Sequence, residues 1–244
     1  MFGRRFMRML AAVMALGVAL AGAAPAARAD ALSAWQAYGE KRYAAALAEL
    51  RPLARAGDAA AQFYLGTAYA DGLAVPRNYA LAARWYESAA LGGNADAAFA
   101  LGFLYLNGPG TAAEYALAAD PEQAALWLAR AADAGHAWAR TLLAQLYRDG
   151  RGVPADSDRA RSLFLAAAAQ GIAEAQFSAG LILAGDDATP GHLMDAYVWF
   201  RLAALAGYPA AADNLHRLAA TFSDAEVAAA EARVRAFVPL PVSP

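Results

Sequence analysis

Three histidines, His136, His192 and His216, are the residues in this chain of 244 that could first suggest metal binding or acid–base catalysis. A helical metal pair needs a second imidazole three or four residues away, so that both side chains leave one face. None of the three has one, and the chain holds no cysteine. His136 follows a glycine and reads as a turn residue, His192 falls in an irregular turn, and His216 lies on a helical stretch. Asp186 and Asp187 pair two carboxylates, but in a turn, where they are expected to be solvated rather than poised as acid and base. Gly108-Pro109-Gly110 lacks the spacing and the lysine of a phosphate-cradling loop. Tryptophans can stack on sugars, yet Trp85, Trp127 and Trp199 occupy equivalent places in a repeated word, so packing between repeats is expected of them. No catalytic, metal or cofactor-binding set is predicted. Trp138 stands outside that place and needs another explanation.

The elements that carry these residues repeat. Gly93, Gly135, Gly171 and Gly207 close similar words at spacings of 42, 36 and 36. Eight residues before them stand Trp85, Trp127, Leu163 and Trp199, and three residues earlier Ala82, Ala124, Ala160 and Ala196. An upstream word carries Gly66, Gly102, Ala144 and Gly180, spaced 36, 42 and 36. One insertion of six residues, between Gly102 and Trp127, accounts for the irregular spacing. Both words have apolar residues at helical intervals: Ala61, Leu65, Ala68 and Tyr69 in the first, Ala82, Trp85, Tyr86 and Ala89 in the second. Asp71-Gly72, Asn107-Gly108 and Asp149-Gly150 end the first helix, because glycine takes the left-handed conformation that follows a helix end. Val75-Pro76 and Val153-Pro154 then lead into the second.

Each unit is thus predicted to be helix, turn, helix. A single unit cannot bury its apolar face alone, but stacked units can, and the expected fold is an all-α solenoid. The predicted organisation is a signal peptide over 1–29, a helix pair over 30–58, repeats over 59–220, a capping helix over 221–238 and a disordered tail over 239–244. Within these, Ser33–Gly39 and Tyr43–Ala56 read as helices, and Ser223-x-x-Glu226 is a capping box opening a helix to Phe237.

Arg4, Arg5 and Arg8, the apolar run Met9–Ala21 and the small-x-small word Ala27-Arg28-Ala29 have the plan of a secretory signal, cleaved after Ala29. The remaining 215 residues lose four arginines and keep all 22 acids, for a formal charge of −6. One lysine, Lys41, and an acidic balance make a poor polyanion binder, so no nucleic-acid partner is predicted. Past residue 29 no long uncharged apolar run appears, so no stable membrane insertion is predicted after cleavage.

The third unit shows Y-R-D-G-R-G-V-P, Tyr147 to Pro154, and the first shows A-A-R-W-Y-E-S-A-A, Ala82 to Ala90. With the alanine pairs and the closing glycine, these words resemble Sel1-like repeats, relatives of the tetratricopeptide repeat. The resemblance runs from about Ala59 to Ala220, four full units and part of a fifth; Ala144, Leu163 and the turn at Gly185-Asp186-Asp187 depart from the pattern. It implies a right-handed α-solenoid serving as an adaptor or scaffold that binds a protein or peptide along its groove, with no catalytic residues in the repeat; the signal-like start places it, as an expectation, in the periplasm or outside the cell. Two other readings stay open: a cell-wall-acting enzyme or enzyme subunit with a solenoid body, and a self-associating structural protein.

The repeats also suggest where a partner would sit. Columns that must pack keep their residue from unit to unit; columns that vary are free for binding. On the first helices the varying columns read Ala60, Tyr64, Thr67; Asp96, Ala100, Phe103; Trp138, Leu142, Gln145; and Glu174, Ser178, Leu181. Their spacing places each trio on one helix face. The candidate partner-binding residues are Tyr64, Asp96, Phe103, Trp138, Leu142, Glu174 and Leu181, with Arg140 one column away. Aromatic residues and arginine are the usual energetic anchors of an interface.

Overall fold

A computed structural model describes residues 33, 36–38, 40–108, 116–185 and 188–241. The signal-like segment and the centre of the inserted loop lie outside these residues. All the regular elements described are α-helices: α1 (Tyr43–Arg55), α2 (Ala59–Asp71), α3 (Tyr79–Leu91), α4 (Ala95–Asn107), α5 (Pro121–Asp133), α6 (Ala137–Asp149), α7 (Ser157–Ala169), α8 (Ala173–Leu183), α9 (Pro190–Leu205), α10 (Ala211–Ala219) and α11 (Asp224–Ala236). Among the described residues no helix is long and apolar enough to cross a membrane. The helices divide between two compact units, one ending at His136 and one running from Ala137.

The small column and a large one interlock inside each repeat. A Cβ on Gly66 would lie 2.7 Å from Cδ1 of Tyr86, one on Gly102 2.8 Å from Cγ of Leu128, and one on Gly180 2.6 Å from Cε1 of Phe200. Such distances leave no room for a side chain, so glycine is what lets the two helices meet. In the third repeat Ala144 holds the same place and packs with Phe164. The framework column is therefore Tyr86, Leu128, Phe164 and Phe200, exposed by 0, 0, 0 and 2 %. This corrects the sequence expectation by one residue, about 100° around the helix. Trp127 is buried as expected, but Trp85 and Trp199 are half-buried at the edge of the core. Trp199 does touch the preceding repeat, packing on the cluster around Phe164.

Helix boundaries follow from capping chemistry. Asp58, Asn94, Asn78, Asp120 and Asp156 each accept a hydrogen bond from the backbone N–H three residues on, satisfying a donor that the first turn leaves free. Gly72 and Gly108 end α2 and α4 in the left-handed region, as their position after the helix predicts. The expected capping box is formed at Ser223 and Glu226.

The connection from first to second helix is tied by one recurring bond. Asn78 N–H donates to the Tyr69 carbonyl at 2.9 Å, Asp120 N–H to Tyr105 at 2.8 Å, and Asp156 N–H to Tyr147 at 2.9 Å. The six-residue insertion is spliced into the middle connection without disturbing that bond.

Two sequence expectations change here. His192 is not in the turn of the fourth unit but in the first turn of α9, where its N–H donates to the Thr189 hydroxyl at 3.2 Å. The chain from Pro239 was expected to be disordered; Pro239 and Leu240 lie against the third repeat, with Leu240 N–H donating to the Ala169 carbonyl at 2.8 Å.

Candidate binding surface of the first helices

In the first unit the varying face belongs to α2 and α4. Tyr64 is 3 % exposed and Thr67 only 1 %, so both are part of the packing. Thr67 donates its hydroxyl to the Phe63 carbonyl at 3.1 Å and accepts the Tyr86 hydroxyl at 3.2 Å. Burial, with the nearby Asp96 and Asp58 carboxylates, pushes the Tyr64 phenol up to about 12. Asp96 and Phe103 are half-buried on α4. Desolvation raises the Asp96 carboxyl to about 6, because burial penalises the charged form.

Beside Asp96 lies a residue whose role the sequence did not disclose. His136 is buried, its ring stacked on Phe99 with centroids 4.3 Å apart, and its Nε2 stands 3.5 Å from Oδ1 of Asp96. It keeps the predicted turn position, its N–H donating to the Ala131 carbonyl at 3.0 Å. Its column holds Asp58, Asn94, Ile172 and Tyr208 in the other repeats, so the column carried no clue to a paired imidazole. Among the described residues no three His, Asp or Glu side chains come together as a metal site.

In the second unit the face belongs to α6 and α8. Trp138, Arg140 and Glu174 are half-buried, Leu142 is buried at 8 %, and Leu181 is 44 % exposed. Adjacent trios are joined as stacking requires: Gln145 Nε2 donates to Oε1 of Glu174 at 2.8 Å. Arg140 donates to Oε1 of Gln170 at 3.0 Å, which holds its guanidinium across to the end of α7.

The eight candidates therefore separate. Tyr64 and Leu142 are corrected from anchors to packing residues, because neighbouring side chains enclose them. In the first unit Phe103 keeps apolar surface in reach of solvent with Asp96 on the same helix; in the second, Trp138 and Leu181 do so with Glu174, and Arg140 is braced nearby.

Comparison with known proteins agrees with this architecture. The Sel1 repeat family model matches residues 59–94, 95–136, 139–172 and 173–208, more than half of the chain. A Sel1 repeat protein from Oxalobacter formigenes superposes with a TM-score of 0.70 at 25 % identity, over 86 % of each chain. The protein c5321, a protective antigen present in uropathogenic Escherichia coli strains that displays an SLR fold, superposes with a TM-score of 0.66 at 26 % identity. That alignment covers 82 % of this chain but only 42 % of the antigen. No curated protein matches. The repeated interlock of a small and a large residue, the four matched repeats and these neighbours together place the chain in the Sel1 repeat family, as an α-solenoid of helix–turn–helix units.

Proposed function

We propose that the chain is an exported, non-enzymatic scaffold that holds a protein or peptide partner on the first-helix faces of its repeats. The observation that carries this is the contrast between columns. The framework column Tyr86, Leu128, Phe164, Phe200 is sealed, whereas the varying faces leave Phe103 partly in solvent with Asp96 in one unit, and Trp138 and Leu181 with Glu174 in the other. Large apolar side chains left open next to charges are what a recognition surface needs and what a purely solvated face avoids. Membership of a repeat family whose role is generally protein–protein interaction supports the same reading.

Site-specific photocrosslinking tests it. A photoreactive residue at Phe103 or Trp138 should trap a defined partner from a cell-envelope extract, and one at the exposed second-helix position Leu126 should not. Equal trapping at all three would remove the surface assignment. Export is tested separately: the protein recovered from the envelope should begin at Asp30, and a chain retaining Met1 in the cytoplasm would refute it.

A further inference from the structure

Every second helix ends in carbonyls that its own backbone cannot satisfy. At the end of α7 one of them is answered from far along the chain. Leu240 N–H donates to the Ala169 carbonyl at 2.8 Å, and Pro239 lies 3.5 Å from where a Cβ on Gly171 would stand. Just before them, the Phe237 ring meets Trp199 edge-on, centroids 5.8 Å apart at 81°. Phe237, Pro239 and Leu240 thus meet a floor made of Trp199, Gly171 and Ala169.

The other repeats show what makes this floor available. The column of Ala169 holds Leu91, Asp133 and Leu205 in the other units, and both leucines project into solvent. Among the described residues, a Cβ on Gly93 or Gly207, the equivalents of Gly171, would meet nothing within 4 Å. A small residue stands at the crossing point in the repeat where a segment crosses. The segment itself is lightly held: Val238 and Leu240 leave their side chains exposed. Its prolines cannot donate backbone hydrogen bonds and favour extended chain, so the Leu240 N–H carries the backbone contact.

We propose that Ala169, Gly171 and Trp199 form a docking site for an extended aromatic-x-proline segment of a partner protein, and that the chain's own Phe237–Pro241 occupies it as a displaceable strap. The seated segment displays the chemistry the site accepts: an aromatic ring on Trp199, a proline over Gly171 and a free N–H two residues into the crossing for the helix-end carbonyl. This site is separate from the first-helix faces and does not rest on them.

The test compares the full chain with a chain ending at Ala236, both first shown to melt cooperatively, using a labelled Phe-Val-Pro-Leu-Pro peptide and fluorescence anisotropy. The shortened chain is expected to bind at least ten-fold more tightly than the full chain. Ala169→Leu, a residue two other repeats carry in that column, should abolish binding, and Leu126→Ala, at an exposed second-helix position, should leave it unchanged. Equal binding to full and shortened chains, binding that survives Ala169→Leu, or a folded shortened chain that does not bind would each overturn the proposal. A full-length dimer that the truncation converts to monomer would also overturn it, by giving the site to the tail of a second copy. Should the shortened chain not fold, hydrogen exchange on the full chain decides: the Leu240 amide should be protected, and Ala169→Leu should remove that protection. Exchange at the rate of a free peptide in the parent chain would refute the strap.

Discussion

The pair α2–α3 and the pair α8–α9 are built on the same contact and open differently to solvent. In both, a ring lies on a glycine of the facing helix, Tyr86 on Gly66 and Phe200 on Gly180. One residue on, the two part. Thr67 is sealed under the Tyr86 hydroxyl, while Leu181 in the same column is 44 % exposed. Phenylalanine carries no hydroxyl, so in the fourth repeat nothing ties that column to the ring. The framework of a repeat is thus set by its small and large residues, whereas the neighbouring column differs between repeats, tied to the ring by a hydrogen bond in the first and open in the fourth.

Removing the framework ring should have the largest effect. Phe164→Ala and Phe200→Ala are each expected to cost about 3–5 kcal/mol, because a fully buried ring is lost and a cavity stays behind. Trp85→Ala, at a half-buried position, should cost clearly less. Denaturant unfolding of the three variants checks the order, and a Trp85 variant as damaged as the other two would return the core to the tryptophan column. Filling the small column comes next. Gly66→Ala puts a methyl within 2.7 Å of the Tyr86 ring and should cost about 1–3 kcal/mol by overpacking. A melting temperature equal to the parent's would mean that the helices separate freely.

The polar seal is a smaller term. Tyr86→Phe makes the first repeat like the fourth and should cost about 0.5–1.5 kcal/mol, the worth of one buried hydrogen bond. Thr67 should then gain amide and side-chain mobility by NMR; an unchanged Thr67 would break the link drawn between hydroxyl and column. The smallest effect concerns pH. Burial raises the folded Asp96 carboxyl to about 6, above the ordinary aspartate range, so the folded state binds the proton more tightly than the unfolded state. Its contribution favours folding at low pH and is lost as pH rises through about 6. Asp96→Asn should flatten the melting-temperature profile between pH 4 and 7 relative to the parent; parallel profiles would mean that the carboxyl is not desolvated.

Much of the framework was legible because its causes are local and repeated. The glycine and alanine columns, the turn at Asp71-Gly72 and the capping box at Ser223 follow from backbone conformation and side-chain reach. The register of the core was missed because tryptophan marks the repeated word most visibly, while burial is decided by which residue faces Gly66, Gly102 or Gly180 across the helix pair. The site was harder. Tyr64 and Phe103 lie in the varying face, yet enclosure by non-local neighbours buries one and leaves the other half-open. The pairing of His136 with Asp96, 40 residues apart, and the seating of Leu240 on Ala169 are tertiary contacts with no periodic signature.

The central claim is that binding is carried by the open part of the varying face and stability by the sealed column beneath it. The most direct measurement is the affinity of the crosslinked partner for the double variant Phe103→Ala, Trp138→Ala, taken together with its unfolding free energy. Affinity should fall at least ten-fold, about 1.4 kcal/mol, while stability drops by less than for Phe164→Ala alone. Undiminished affinity, or a loss of stability as large as that of the framework variant, would contradict the account.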